Sequence, residues 1–482
     1  NAEYMGPVTE MLRKRNQFLQ LLSITKSSNL FLIIVLFVVF YLLLSFSSKS
    51  LLPRNYAVRS LNDRKLCFSS QAEQFLFYAP HSGFSNQLSE LKVAFLMAGI
   101  LNRTLVIPPV LDHHAVVLGS CPKFRVTEPR DIRKSVWDHS FDLLRSGRYI
   151  SMADIIDISH LVPSCVHTID FRLFASILCN IDLNAAITKA ETGDSSMIKQ
   201  FKMCGSEALG FRNNSARCVY PVDDDCRTTV WTYGSDEKDG TEDSFQPDEQ
   251  LKKKKKISLV RLRRDVYRAL GPDSAAGSFK VLAFGSLFTS LYKNSQLLVD
   301  INKENSLMKK LEFLPFVSEI MNAGRTISSQ VIKSPFLCAQ LRLLDGQFKN
   351  HWEATFLGLK EKVESLKVDT YPVHIFVMTD LVREKWVGTY LGGLLRNEKQ
   401  YKIHVVREDD ELVIETAKTV ANFSEMGKMK ADTFVKKLPD VLLYVEESVC
   451  SCASLGFFGT AGSTIAESID LMRKHRVCNL TN

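Results

Sequence analysis

The chain has 482 residues, of which 45% are hydrophobic and 24% are charged, and its formal net charge is +8 at pH 7. This length exceeds what one ordinary hydrophobic core needs, so it predicts two domains. The positive charge weakly favours anionic ligands or a membrane surface. A nucleic-acid-binding protein is disfavoured, because no basic stripe is interleaved with aromatic residues and the lysine run 252–256 directly follows an acidic segment.

A long apolar run lies near the start of the chain. Residues 30–46 are apolar except for Ser45, and two further serines extend the run to about the length of a minimal membrane span. We interpret residues 30–48 as a transmembrane signal anchor, preceded by a cytoplasmic tail at 1–29 and followed by a stem at 49–69. A cleaved signal peptide is the alternative, although its apolar core is usually shorter. The anchor predicts a single-pass type II protein of the Golgi or endoplasmic reticulum membrane with a lumenal body.

Glycosylation sequons agree with a lumenal body. They begin at Asn102, Asn213, Asn422 and Asn479, all beyond the apolar run.

The eleven cysteines point the same way. Six of them cluster between residues 121 and 226 without the spacing of zinc ligands. We expect disulfides for some of them, with buried thiols as the alternative. Cys450 and Cys452 are too close together to pair with each other without strain, so each is expected to have a distant partner.

A βαβ unit is predicted at residues 75–109. Residues 75–78 are apolar and of strand type, apolar residues at helical spacing follow at 88–98, and residues 104–107 are rich in β-formers. Pro108 and Pro109 end the second strand. Because the crossover is short and helical, the two strands are expected to be parallel.

The loop between the first strand and the helix contains candidate binding residues. In open α/β folds this loop lies at the carboxyl edge of the sheet, where ligands bind. A glycine lets the chain pass close to a ligand, the helix N-terminus offers free N–H groups, and an amide both donates and accepts hydrogen bonds. We therefore predict substrate contacts from His81, Gly83, Phe84 and Asn86. An ordinary turn with Asn86 as helix cap is the alternative.

A charged insertion is predicted near residues 223–256. Residues 223–249 carry ten acidic and two basic residues, five lysines follow, and apolar periodicity is absent. This composition favours a mobile, solvated loop over an acceptor-binding segment.

The second half of the chain alternates strands and helices. A strand at 281–286 ends the first domain, and strands at 335–343 and 373–378 flank a helix at 352–363, as in a doubly wound parallel sheet. Each strand is followed by polar residues, which would meet at one edge of the sheet and form a nucleotide pocket. These residues are Arg342, Asp345, Thr379, Asp380 and the loop Gly459–Thr464.

These motifs together resemble those of the GDP-fucose protein O-fucosyltransferases. The glycine, phenylalanine, asparagine and glutamine of the family's G-x-F-x-N-Q turn correspond to Gly83, Phe84, Asn86 and Gln87, although here the phenylalanine directly follows the glycine. The family's L-N-R-T-L-x-x-P-P strand is matched by residues 101–109, and its histidine pair by His113 and His114. Its H-x-R strand, T-D strand end and F-x-G…S-S/T stretch are matched by residues 340–342, 379–380 and 457–464. Two departures are Gln340 in place of histidine and Asp345, which lies one position nearer the arginine than the family's acidic residue.

The resemblance implies a GT-B-like fold, with an N-terminal acceptor-side Rossmann-like domain at 70–327 and a C-terminal nucleotide-sugar-binding domain at 328–482 that face a cleft. It implies transfer of fucose from GDP-fucose to a hydroxyl of a protein or glycan, with inversion and without metal or other cofactor. Arg342 would bind the donor phosphate and assist departure of GDP, with Ser463 and Thr464 beside it and Asp380 near guanine.

The chemistry of a departing diphosphate agrees with these roles. Negative charge develops as the nucleotide leaves, and a planar guanidinium can bind its oxygens bidentately. The plainer alternatives are a salt bridge for Arg342 and helix caps for Asp380 and Ser463. Glu90, Asp112 and His113 are the candidates for the general base. Asn86 would orient the acceptor or act through water.

Two other functions remain open from the sequence. A related transferase with another donor, such as UDP-rhamnose, would have a similar diphosphate site. A non-catalytic lumenal binding protein with the same fold is the second alternative.

Overall fold

The computed structural model describes residues 73–113, 115–116, 127–164, 166–183, 196–208, 218–224, 229–231, 259–261, 263–287, 306–344, 346–366, 371–422 and 441–479. All of them belong to one compact unit that runs from Tyr56 to Asn482. The predicted tail, signal anchor and stem lie outside the described residues, as do Asn213 and Asp345. Within the described ranges, no helix is both long and apolar enough to cross a bilayer.

A parallel sheet organises the first half of the described chain. The strands here are β1 (Phe75–Phe77), β2 (Thr104–Ile107), β3 (Thr168–Asp170), β4 (Val219–Val222), β5 (Thr229–Trp231), β6 (Leu259–Arg261) and β7 (Val281–Phe284). The sheet has the order β3-β2-β1-β7-β4, and each neighbouring pair is parallel. Strands β5 and β6 pair separately.

Helices follow or connect these strands. They are α1 (Phe84–Leu101), α2 (Pro129–Arg145), α3 (Met152–Ile155), α4 (Phe171–Cys179), α5 (Ser196–Ala208), α6 (Arg263–Leu270), α7 (Ser306–Glu312) and α8 (Ser318–Thr326). Side chains of β1 alternate between two apolar clusters, because successive residues of a strand point to opposite faces. Phe75 and Phe77 pack with Trp137 of α2, whereas Leu76 packs with Phe95 of α1. The sheet is therefore buried on both faces, as expected for parallel strands.

A second parallel sheet lies in the C-terminal half. Its strands are β8 (Phe336–Leu341), β9 (Val373–Thr379), β10 (Tyr401–His404) and β11 (Gly456–Gly459), in the order β10-β9-β8-β11. The helices here are α9 (Trp352–Glu364), α10 (Tyr390–Arg396), α11 (Glu411–Asn422), α12 (Val441–Ser451) and α13 (Thr464–Lys474). The predicted α/β fold with parallel sheets is confirmed, and the strands and helix predicted at 75–78, 281–286, 335–343, 352–363 and 373–378 are present.

One hydrophobic cluster contains residues of both sheets. Leu76 and Leu105 from the first sheet and Cys338 and Phe376 from the second belong to it, together with Val445 of α12. The predicted domain boundary between residues 327 and 328 stays a prediction. It falls at the start of a π-helical segment, Ile327–Ile332, that continues α8.

Only residues 223–224 and 229–231 of the charged insertion are described, so a mobile, solvated loop stays a prediction for this segment. Strand β5 lies inside it and pairs with β6. At its start, Asp223 Oδ1 lies 2.6 Å from Nη2 of Arg133, whose side chain is 1% exposed. A buried guanidinium needs a counter-charge, and Asp223 supplies it. Neither contact can be inferred from composition, because each partner, β6 or Arg133, lies outside the insertion.

Disulfides tie several of these elements together. They join Cys179 to Cys204, Cys338 to Cys450 and Cys452 to Cys478. The prediction that Cys450 and Cys452 have distant partners is confirmed.

Two of the predicted glycosylation sites are exposed. Asn102 follows α1 in a left-handed conformation, and Asn479 ends the last 3₁₀ turn. Asn422 is the last residue of α11. Whether any of them carries a glycan stays a prediction.

Candidate functional site

A cavity of about 530 Å³ lies at the carboxyl end of β8 and β9, where the turn before α1 meets helices α12 and α13. The turn and the first residues of α1 contribute Gly83, Phe84, Ser85 and Asn86. The cavity thus brings together the two motif regions, which are about 250 residues apart in the chain.

Six of the predicted site residues line this cavity. They are Gly83, Phe84, Asn86, Arg342, Asp380 and Thr464. His81, Gly459 and Ser463 are not among its lining residues, and Asp345 is outside the described chain.

The turn before α1 is shaped by Ser82 and Gly83, in different ways. Ser82 holds the left-handed conformation, with φ of 63°. Gly83 has an ordinary φ of −71°, but a Cβ there would lie 2.6 Å from Cε1 and Nδ1 of His113. Glycine is therefore needed at position 83 because the histidine ring packs directly on the backbone.

A buried glutamine holds this turn against the chain after β2. Gln87 Nε2 donates to the carbonyls of Ser82 at 2.8 Å and Leu111 at 3.0 Å, and Gln87 Oε1 accepts from the Leu111 N–H at 3.0 Å. Because every polar atom of this buried amide is used, Gln87 has a structural role.

His81 lies beneath the turn and supports it. The side chain is 1% exposed, and its Nε2 lies 2.9 Å from Oγ of Ser286, directly after β7. Burial lowers the pKa of His81 to about 3, so the ring is neutral at physiological pH. Its backbone N–H donates to Glu90. The structure thus places His81 where it positions the turn, behind the residues that face the cavity.

Arg342 lies at the end of β8 and is anchored from two sides. Its backbone N–H donates to Oγ1 of Thr460 at 2.9 Å, which ties it to the loop after β11. Its guanidinium lies 5.3 Å from the centre of the Phe348 ring. Cation–π contact of this kind limits the orientations of the guanidinium.

Asp380 shapes the loop that follows Arg342. Its two carboxylate oxygens accept from the backbone N–H groups of Leu343 at 2.8 Å and Leu344 at 2.9 Å. These bonds secure the chain beside Arg342, so Asp380 positions the arginine in addition to lining the cavity.

The loop after β11 combines a packing glycine with a buried hydroxyl. A Cβ on Gly459 would lie 2.5 Å from Cβ of Ala466, so glycine lets α13 pack closely on the strand end. Ser463 occupies the N-cap position of α13 but makes no side-chain cap bond. It is 1% exposed, and its Oγ has no hydrogen-bond partner in the described structure. The Ser463 hydroxyl and the free N–H groups at the start of α13 lie beside the cavity. Hydrogen-bond donors at a helix N-terminus are suited to binding an anion.

The candidate bases are placed very differently. Glu90 is fully buried and accepts from the N–H groups of His81 and Leu287. Burial raises the pKa of Glu90 well above its ordinary value. Asp112 is bound at both oxygens by Arg148, at 3.0 and 2.9 Å. Of the three candidates, His113 alone is among the lining residues.

The cavity also contains Glu446, which the sequence analysis does not select. Glu446 and Leu443 lie on α12, three residues apart and so on the same helix face, and both line the cavity. Periodicity indicates that two residues share a face, but it does not say which other element that face meets.

Comparison with known proteins identifies the family. No family model matches the chain. O-fucosyltransferase 30 from Arabidopsis thaliana is 56% identical over 426 residues, which are 84% of each chain. The chain belongs to the O-fucosyltransferase family.

Solved structures of fucosyltransferases are also similar to this O-fucosyltransferase family member, with lower sequence identity. The crystal structure of POFUT1 in complex with GDP-fucose has 12% identity and a TM-score of 0.39, and the match covers 85% of this chain and 96% of that one. Fucosyltransferase NodZ from Bradyrhizobium has 12% identity and a TM-score of 0.35, and the match covers 83% of this chain and 94% of that one.

Proposed function

We propose that this O-fucosyltransferase family member transfers fucose from GDP-fucose to a hydroxyl of a protein or glycan acceptor. The observation that carries the proposal is the 56% identity to an O-fucosyltransferase, in a chain whose two motif regions meet in one cavity. Inversion, independence of metal and a GT-B arrangement are parts of the proposal that follow from the family resemblance.

The donor diphosphate is proposed to bind between Arg342 and the start of α13. The guanidinium supplies positive charge where GDP gains negative charge during the reaction. Ser463 Oγ and the first N–H groups of α13 supply hydrogen bonds, and no protein group competes for that hydroxyl in the described structure. Asn86 and the turn before α1 then face the acceptor.

The proposal is tested by binding of GDP-fucose, GDP, GDP-mannose and UDP-rhamnose to the full chain by calorimetry, with a chelator present. We expect GDP and GDP-fucose to bind and the Arg342→Ala variant to lose at least tenfold in affinity, because charge-assisted hydrogen bonds to a diphosphate are lost. Arg383→Ala is the matched control, since Arg383 is exposed and does not line the cavity. Preference for UDP-rhamnose would assign a different donor, and no nucleotide binding at all would support the non-catalytic alternative.

We further propose a type II membrane protein of the Golgi or endoplasmic reticulum, anchored by residues 30–48. Three disulfides in the described structure support an oxidising compartment. Expression in cells followed by glycosidase digestion tests this location. A shift in mass on removal of N-glycans is expected, and an unshifted chain recovered from the cytosol would contradict it.

A further inference from the structure

Transfer of a sugar to a hydroxyl requires a group that accepts the hydroxyl proton. Two carboxylates, Asp380 and Glu446, are among the described residues that line the cavity. Asp380 already accepts backbone N–H groups at both oxygens, as expected for a structural carboxylate. The side chain of Glu446 makes no hydrogen bond or ion pair with any of the described residues, so its carboxylate is available to a ligand.

The helix that carries Glu446 is fixed against the acceptor side of the cavity. Tyr444 packs on Phe84, with ring centres 4.5 Å apart, and on Phe316, with ring centres 5.5 Å apart. Phe84 starts α1, two residues before Asn86. This aromatic contact joins α12 to the turn before α1 and so places Glu446 beside the residues proposed to face the acceptor.

The neighbouring Glu447 points elsewhere. It is 1% exposed, its Oε2 accepts from Ser468 Oγ of α13 at 2.8 Å, and it does not line the cavity. Two adjacent glutamates on one helix therefore have different surroundings, since Glu446 is half-buried at the cavity and Glu447 is in the core.

We propose that Glu446 is the general base of the transfer, an inference that rests on the proposed function. The acceptor oxygen bonds to C1 of fucose while the bond between C1 and the phosphate oxygen breaks. The electron pair of the broken bond leaves with GDP beside Arg342, and the proton of the acceptor hydroxyl passes to the Glu446 carboxylate. Exchange with water returns the carboxylate to its starting state.

The electrostatic surroundings of Glu446 agree with this role. Burial and, to a smaller extent, the adjacent Glu447 raise the pKa of Glu446, so its ionised form accepts a proton more readily than an ordinary carboxylate does. The other titratable or charged groups at the cavity are Arg342, Asp380 and His113. From the packed helices α8 and α13, the first turns contribute Glu319 and Glu467.

The test uses the full chain and GDP-fucose, with water and then azide as acceptor. We expect Glu446→Ala and Glu446→Gln to release GDP at least a hundredfold more slowly while binding GDP-fucose within threefold of the unmodified protein. Azide needs no deprotonation, so it should restore GDP release in Glu446→Ala and form fucosyl azide, which mass spectrometry detects. Glu361→Gln is the matched control, because Glu361 is exposed on α9 and does not line the cavity, and it should release GDP at the unmodified rate.

Other outcomes would overturn the assignment. Unchanged GDP release in both Glu446 variants, or failure of azide to restore it in Glu446→Ala, would exclude a base at this position. If azide restored GDP release in a His113→Ala variant but not in Glu446→Ala, the proton transfer would be assigned to the histidine. If the unmodified protein neither binds nor hydrolyses GDP-fucose, the proposed function itself fails, which is distinct from loss confined to the Glu446 variants.

Discussion

The His113 ring packs on the backbone of Gly83, so the substitution Gly83→Ala tests this contact. Gly83→Ala leaves the backbone unstrained, because φ is −71°, but places Cβ 2.6 Å from the histidine ring. We expect the ring to be displaced into the cavity, with a loss of about 1–3 kcal/mol in the free energy of unfolding and a lower rate of fucose transfer. Urea titration and GDP release would measure these two effects.

A matched glycine separates the effect of the contact from that of the methyl group. Gly393 lies in α10, and a Cβ there would meet nothing within 4 Å. Gly393→Ala should therefore stabilise the protein by about 0.4–1 kcal/mol and leave transfer unchanged. Equal effects of the two substitutions would show that the contact with His113 is unimportant.

Glu447 gives a prediction about pH. Burial raises the pKa of Glu447 to about 8, above its value of 4.5 in the unfolded chain. Between these values the folded state holds a proton that the unfolded state has lost, so the stabilising contribution is full below pH 4.5 and is lost as pH rises towards 8. In the Glu447→Gln variant, the free energy of unfolding should fall less steeply with pH, by up to about 1.4 kcal/mol per pH unit. Urea titrations at pH 5, 6, 7 and 8 test it, and identical slopes in both proteins would contradict it.

The sequence can predict which residues line the cavity where each of them follows a strand of its own. Arg342, Asn86 and Gly83 follow recognisable strands, and all three line the cavity. The sequence does not select Glu446, since its place at the cavity depends on a helix packing against a turn more than 300 residues earlier in the chain. The roles that Gly459 and His81 have in packing also depend on contacts with other elements that no local pattern encodes.

Between elements, the disulfide from Cys338 to Cys450 connects the middle of β8 with α12. Both elements line the cavity, β8 through Arg342 at its end and α12 through Glu446. Replacing both cysteines by alanine should lower the free energy of unfolding by about 2–5 kcal/mol, because the bridge closes a loop of 112 residues. Thermal unfolding of the double variant measures this loss.

The third bridge provides a comparison. Cys452 and Cys478 are separated by 26 residues, so removing this bridge should cost about 1 kcal/mol less on chain-entropy grounds. A larger loss from the shorter loop would contradict that account.

The sequence predicts the position of a strand better when the strand is long and apolar. Strands β8 and β9 have six and seven residues with nearly continuous burial, and their positions follow from composition. Strands β3 and β5 have three residues each, too few to show a period, and β5 lies in an acidic segment. Their backbone pairing is decided by neighbours in the folded chain.

For the whole molecule, the apolar cluster shared by the two sheets predicts cooperative unfolding. Trp137 lies in a separate cluster beneath the first sheet, and Trp386 lies in another beneath the second. If the shared cluster couples them, the fluorescence changes of the two tryptophans have the same urea midpoint. The chain has four tryptophans, so each signal is isolated by replacing the other three with phenylalanine, and two separated midpoints would show that the sheets unfold independently. Length alone predicted two domains but could not predict a core that joins them.

The position of Asn102 has a consequence for the timing of biosynthesis. Asn102 is exposed, whereas Thr104, the third residue of its sequon, is 5% exposed and begins β2 opposite Phe75. The enzyme that attaches N-glycans must reach the threonine hydroxyl as well as the asparagine. A glycan at Asn102 would therefore have to be added while the nascent chain is still unpaired there, and the fraction of molecules carrying it would record how soon β2 joins its sheet.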